Sequence, residues 1–184
     1  MSWKTSIIQP TSDSSPRQWS SYPYVWHYQC VDELFPNEDL DYICTKRDRY
    51  QDWFNLTNWG SWITKPLSRL IKIDRFVIVV RAKMSKLSFP SCTISILHNL
   101  PDPNMQTNNI LTLRYCDYSR TVYSIGTLGN MRKPTISDID SLQVGVQAGV
   151  PKGVKNEVKV TQISVSIYWD YNKTPGFTYV NFTP

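Results

Sequence analysis

Five carboxylates crowd one short stretch of the sequence, Asp32, Glu33, Glu38, Asp39 and Asp41, and carboxylate oxygens are the ligands a hard cation takes. Ca²⁺ gathers about six to eight oxygens from flexible loops, and Asp32, Glu33, Asp39 and Asp41 would be its candidate ligands here. Their spacing matches no EF-hand loop. The competing reading, a solvated turn whose carboxylates cap backbone N–H groups, is therefore adopted and no metal is assigned. Two facing carboxylates could also hydrolyse a glycosidic bond, but nothing in the pattern selects a pair. His27 and His98 are the only histidines, and no nucleophile motif stands beside either, so a Ser-His-Asp arrangement is not signalled. Each reads as a satisfied surface histidine. Cys30, Cys44, Cys92 and Cys116 lie far apart, never as C-x-x-C, which signals neither zinc nor redox chemistry. They read as mostly buried thiols, with a disulfide left open for an extracellular setting. The expectation is a chain with no catalytic residues, no cofactor and no enzymatic activity.

Aromatic residues offer a different chemistry. Trp59 and Trp62, with Trp53 close by, could form a platform that stacks on a sugar ring. In the alternative, Trp53 is core while Trp59 and Trp62 pack at a subunit contact, where Trp and Tyr are enriched. Both readings stay open at this stage. Asn55, Asn172 and Asn181 head N-x-S/T sequons, which accept glycan only on a secretory or cell-surface route. The first ten residues lack an apolar h-region, and no later stretch reaches the length of a membrane span, so synthesis in the cytosol without an anchor is expected. The net charge of +5 is dispersed, with no block of like charge, and a nucleic-acid partner is not expected.

The elements that must position these residues are strands. The composition is 41% hydrophobic and only 19% charged, with 7 glycines in 184 residues, and it is rich in the Tyr, Trp, Thr and Val that suit a pleated surface. That length suits one domain. Residues 1–27 carry Pro10, Pro16 and Pro23 and read as an extended N-terminal arm. Its Trp3, Ile7, Ile8, Trp19, Tyr22 and Tyr24 are costly to leave in water, so they are expected to bind the domain or a neighbouring subunit. Residues 172–184 read as a second arm, with Phe177 and Tyr179 placed to add to a sheet edge.

Between the arms, residues 28–171 form the expected sandwich. Residues 28–43 suggest two strands around a Pro-Asn turn, and residues 50–56 a third, with Trp53 and Phe54 as core anchors. Residues 71–83 make the strongest strand, its apolar middle that of a central strand covered on both faces. Strands follow at 92–97 and 110–118. Thr135 with Asp138 signals one capped helical turn, after which Leu142, Val144, Val146 and Ala148 alternate. In the last strand, 157–171, Val158 and Val160 hold one parity while Ile163, Val165, Ile167 and Trp169 hold the other. A β-bulge near Thr161-Gln162 would bring both sets to one face. About eight short strands with one helical turn predict an all-β, antiparallel two-sheet sandwich of jelly-roll type.

Several segments in order then resemble a known group: Val31-Asp32-Glu33 with Asp39-Leu40-Asp41-Tyr42-Ile43; Asp52-Trp53-Phe54; residues 73–83; Pro134-Thr135 with Asp138-Ile139; Leu142-Gln143-Val144-Gly145-Val146; and Val160-Thr161-Gln162-Ile163-Ser164-Val165. Together, over about residues 28–171, they resemble uncharacterised β-sandwich modules of structural proteins of tailed viruses of archaea and bacteria. The chain departs from that pattern at the basic run 129–133 and at Ile136. The resemblance implies a virion surface or tail-associated sandwich and carries over no catalytic residue. The expected function is thus that of a capsid-decoration or minor virion subunit, acting by self-assembly and contacts with other virion proteins. A carbohydrate-binding module that recognises host glycans is the alternative.

Overall fold

The computed structural model describes residues 3–32, 40–60, 71–100, 110–115 and 118–171. Its strands are β1 (Lys4–Ile8), β2 (Pro10–Arg17), β3 (Ser20–Tyr22), β4 (Tyr42–Thr45), β5 (Gln51–Leu56), β6 (Ile71–Met84), β7 (Thr93–His98), β8 (Ile110–Thr112), β9 (Ser119–Ile125), β10 (Gln143–Gly149) and β11 (Val158–Tyr171). They form two antiparallel sheets. The first runs β3-β4-β11-β6-β9, with β1 also pairing β11; the second runs β2-β5-β10-β7-β8. From β4 to β7 the chain alternates between the sheets at every step, and the jelly-roll sandwich of the sequence reading is what forms.

The long strands explain the core. On β6, Phe76, Ile78, Val80, Ala82 and Met84 turn inward and are buried, against Val158, Val160, Ile163, Val165 and Ile167 of β11. The two parities of β11 reach the same face because the register shifts between Val160 and Gln162, at the position the alternation requires. The second sheet faces them with Phe54 and Leu56, Ile94 and Ile96, and Val144, Val146 and Ala148. Truncating any of these large side chains to Ala should cost about 2–5 kcal/mol through lost transfer energy and a cavity.

An α-helical turn, α1 (Ile136–Asp140), follows Thr135, which accepts from the Asp138 N–H while Asp138 accepts from the Thr135 N–H. Arg132 grips the same Asp138 carboxylate through two bonds of 2.6 and 2.7 Å. Gly60 N–H donates to Asp140 at 2.7 Å, so α1 also fixes the loop after β5.

The N-terminal reading needs correction. Residues 4–22 do not form an arm outside the sandwich: β1 adds to β11, β2 to β5 and β3 to β4. The chain crosses from one sheet to the other at Gln9, so this segment spans both. Its apolar side chains find cover in their own domain. Ile8 lies opposite Val165 in the core, and Trp19 is buried with its indole N–H donating to the Tyr50 carbonyl at 2.9 Å. Ile8 and Trp19 are thus not available to a partner. The second arm, residues 172–184 with Phe177 and Tyr179, lies outside the described residues.

Other local readings also change. Residues 27–30 form a 3₁₀ turn rather than a strand, and β8 stops at Thr112. β9 arises where the sequence showed no strand, because Tyr123 and Ile125 turn inward while Arg120, Val122 and Ser124 face out. Trp53 sits half-buried on an outer face, and Phe54 alone of that pair is core.

Candidate functional site

The chemistry-bearing residues fall mostly inside the protein. His27, read as a surface residue, is buried, and its Nδ1 meets Asp52 Oδ2, itself fully buried. Asp52 Oδ1 accepts the N–H groups of Gln18 and Trp19 at 2.7 and 3.1 Å. Asp13 repeats the device, accepting from His27 N–H, Tyr28 N–H and the Arg17 guanidinium. These two carboxylates tie residues 17–28 to the second sheet, and the three contacts that Asp52 receives offset the cost of burying it. Its role is a structural clasp. His98, read as a loop residue, ends β7; it is buried, with its ring 5.8 Å from that of Tyr123.

Burial pushes the Cys30 and Cys92 thiols up, and it pushes Cys44 to about 12 with Glu157 adding to the effect. These three cysteines are free and stay protonated at neutral pH, which makes them poor nucleophiles. Of the candidate cation ligands, Asp41 is buried and Asp32 partly so; burial first, then the charge of Asp41, raises the Asp32 carboxyl. Glu33 and Asp39 lie outside the described residues. Among the described residues no three His, Cys, Asp or Glu side chains gather as a metal site would need.

The tryptophan platform also moves. Trp59 is only 2% exposed, packed edge-to-face on Trp169 with ring centroids 5.8 Å apart, so it is core and cannot stack on a sugar. Trp62 lies outside the described residues. An aromatic loop and a core anchor look alike in sequence, so only the contact with Trp169 separates the two for Trp59.

What the molecule does present is an aromatic corner. Tyr22, Tyr24, Val25 and Trp26 are 55%, 47%, 78% and 52% exposed, clustered within five residues from the last position of edge strand β3. The backbone under them is pinned: Ser21 Oγ donates to the Tyr24 carbonyl at 2.5 Å, Cys30 Sγ approaches the Tyr22 carbonyl at 3.5 Å, and Asp13 holds the residues after Trp26. Tyr22 stacks on Tyr42 at 5.6 Å, Lys159 lies 3.8 Å from the centre of the Tyr42 ring, and Arg17 lies 5.6 Å from that of Trp26. Trp3 and Ile7 are exposed as well. Of the residues expected to bind partners, Trp3, Ile7, Tyr22 and Tyr24 therefore reach solvent.

The two outer faces of the sandwich differ in kind. Outward positions of the first sheet carry Lys72, Arg75, Arg81, Lys83, Arg120 and Lys159 with Tyr22, Tyr42 and Tyr168, against one carboxylate, Asp170, which stands opposite Lys72. Arg81 pairs directly with Arg120, and Lys83 with Lys159, juxtapositions that are unfavourable in a sheet. Rings relieve part of this: Lys83 lies 4.3 Å from the Tyr118 ring and Arg75 lies 4.4 Å from that of Tyr168. Val79, Gln162 and Ser164 at the centre of this face are buried, so the exposed cations form a rim. Outward positions of the second sheet carry Ser12, Gln51, Trp53, Asn55, Gln143, Gly145, Gln147, Thr93, Ser95 and Leu97. None is charged.

No family model matches the sequence, and no curated protein matches it. Among solved structures, the chain is similar to the CBM36-1 domain of a multidomain xylanase from the hindgut metagenome of Trinervitermes trinervoides, with 6% identity and a TM-score of 0.41 over 89% of this chain and 96% of that one. It is also similar to the Stig cyclase Fisc from Fischerella sp. TAU, solved with an indole ligand, at 6% identity and a TM-score of 0.36 over 90% and 75% of the two chains. These likenesses concern the sandwich and say nothing of this chain's ligand.

Proposed function

We propose that the chain is a structural subunit of a virus particle, a capsid-decoration or tail-associated protein that works by assembling with copies of itself and with other virion proteins. The observation that carries the reading is the aromatic corner. Four large side chains within five residues stand in water on a pinned backbone, and rigid Tyr and Trp anchors dock with little loss of side-chain entropy. Trp3 and Ile7 add apolar contact, and the cationic rim biases the choice toward acidic neighbours. The resemblance of segments in β4, β5, β6, α1, β10 and β11 to tailed-virus sandwich modules supports the kind of particle. Those segments are the scaffold, so they speak for class rather than for a site.

Negative-stain microscopy of the purified chain tests this. Rings, shells or fibres are the expected result, and replacing Tyr24 and Trp26 with Ser should leave dispersed, folded particles. Monodisperse single subunits at every concentration would overturn the self-assembly reading. A second reading, carbohydrate recognition, cannot use Trp59; what favours it is the neutral face of the second sheet.

A further inference from the structure

We infer that the outer face of the second sheet is a binding site for a neutral oligosaccharide, built around Trp53 lying across Gly145. The inference is independent of the assembly reading, because it concerns the opposite face of the sandwich and a ligand that is not protein.

Cross-strand register makes the site. Trp53 of β5, Gly145 of β10 and Leu97 of β7 are direct neighbours in one row. An added Cβ at Gly145 would stand 2.8 and 3.0 Å from Trp53 Cδ2 and Cε2, the two carbons that fuse the indole rings. The ring thus occupies the space a side chain at 145 would fill. Its N–H donates to Gln51 Oε1 at 3.0 Å, which fixes its rotation. The row is an apolar stripe across three strands.

On both sides the stripe is fenced by amides and hydroxyls. One row holds Ser12, Asn55 and Gln143, with Asn55 donating to Ser12 Oγ at 3.0 Å and Gln143 donating to Asn55 Oδ1 at 2.8 Å and Ser14 Oγ at 3.1 Å. The other holds Gln51, Gln147 and Ser95, with Gln147 donating to the Arg49 carbonyl. A sugar ring presents C–H groups on its faces and hydroxyls around its edge. An aromatic face of negative quadrupole meets the first, and amides, which both donate and accept, meet the second. Among the described residues, no outward position paired on β5, β10 and β7 is charged, and this decides the ligand class: a uronate or phosphate would meet no cation in these rows, whereas cations line the other face. Side chains cross-linked in advance hold the geometry before the ligand arrives.

Affinity electrophoresis tests the site, with gels containing hydroxyethyl cellulose, galactomannan or dextran as neutral polymers and alginate as an acidic one. The full chain should be retarded in at least one neutral gel. Trp53→Ala should weaken that binding about tenfold or more, equivalent to about 1.4 kcal/mol. Gln147→Lys, at a half-exposed position that threatens the fold less, should weaken it too, while Val122→Ser, at an exposed position of the other face, should bind as the parent does. Migration unaffected by all three neutral polymers, retardation by alginate alone, or equal binding by a folded Gln147→Lys variant would overturn the proposal.

Discussion

The two outer faces of this sandwich rest on the same core and share the strands of one N-terminal segment, yet they have opposite chemistry. The face of the first sheet sets like charges directly opposite one another, Arg81 against Arg120 and Lys83 against Lys159. The face of the second sets neutral amides opposite one another and lets a tryptophan lie across a glycine. A fold gains nothing from the first arrangement, since paired like charges weaken a sheet. It gains little from the second, since a glycine in mid-strand carries an entropy cost. Unfavourable choices on solvent-facing positions are informative where core packing cannot account for them, and here they are the observations on which the two proposals rest.

The largest expected effect removes what both faces share. Asp52→Ala deletes the carboxylate that holds His27, Gln18 and Trp19, and breaking a buried pair of this kind should cost about 3–5 kcal/mol in urea denaturation. Proteolysis should then cut within residues 9–28, and both faces should lose binding together. If only one face were lost, the shared clasp would not be what supports them.

Next, Gly145→Val should displace the Trp53 ring and press on the Asp52 carbonyl, 2.9 Å from the added Cβ. A loss of about 1–3 kcal/mol is expected from such overpacking. Saccharide binding should disappear while assembly persists, and parallel loss of both would deny that the faces act separately.

Asp138→Asn serves as a control near neither face. Its carboxyl is held at about 2, against an ordinary 3.8, first by the Arg132 hydrogen bonds and then by Thr135. A carboxyl lowered on folding contributes stability above its unfolded pKa and loses it as pH falls, so the contribution should be whole above about pH 4 and fade toward pH 2. At neutral pH the variant should be weaker by about 1 kcal/mol, the typical worth of a cap. The difference from the parent should vanish in acid melts.

The smallest effect has the opposite sign. Arg120→Glu turns the Arg81–Arg120 pair into an attractive one and should stabilise the isolated chain by about 0.2–1 kcal/mol, less so at high salt. The same change should weaken contact with an acidic neighbour. A stability gain accompanied by undiminished assembly would remove the cationic rim from the account.

Much of the scaffold was legible in the residues. Where one face of a strand is buried, period-2 alternation is enforced, so the core sets of β6 and β10 and the parity change in β11 could be read directly. Thr135 and Asp138 announced α1 by side-chain bonds that are local. The N-terminal strands could not be read this way. Pro10 and Pro16 argue against strand, but edge strands tolerate proline because one side of their ladder is unpaired, and β2 is such an edge. β9 was hidden because its outward Arg120 and Val122 blur the pattern. The burial of His27 depended on Asp52, 25 residues away, and the burial of Trp59 on Trp169. The neutral face was present in the alternation of Gln51, Trp53 and Asn55 and of Gln143, Gly145 and Gln147, but only pairing brings the two runs together.

Sedimentation velocity on three chains tests the division of labour most directly: the parent, the Tyr24→Ser/Trp26→Ser corner variant and the Trp53→Ala face variant. The account predicts oligomers for the parent and for Trp53→Ala, and folded monomers for the corner variant. A parent that sediments as a monomer throughout, or a Trp53→Ala chain that falls apart while the corner variant assembles, would contradict it.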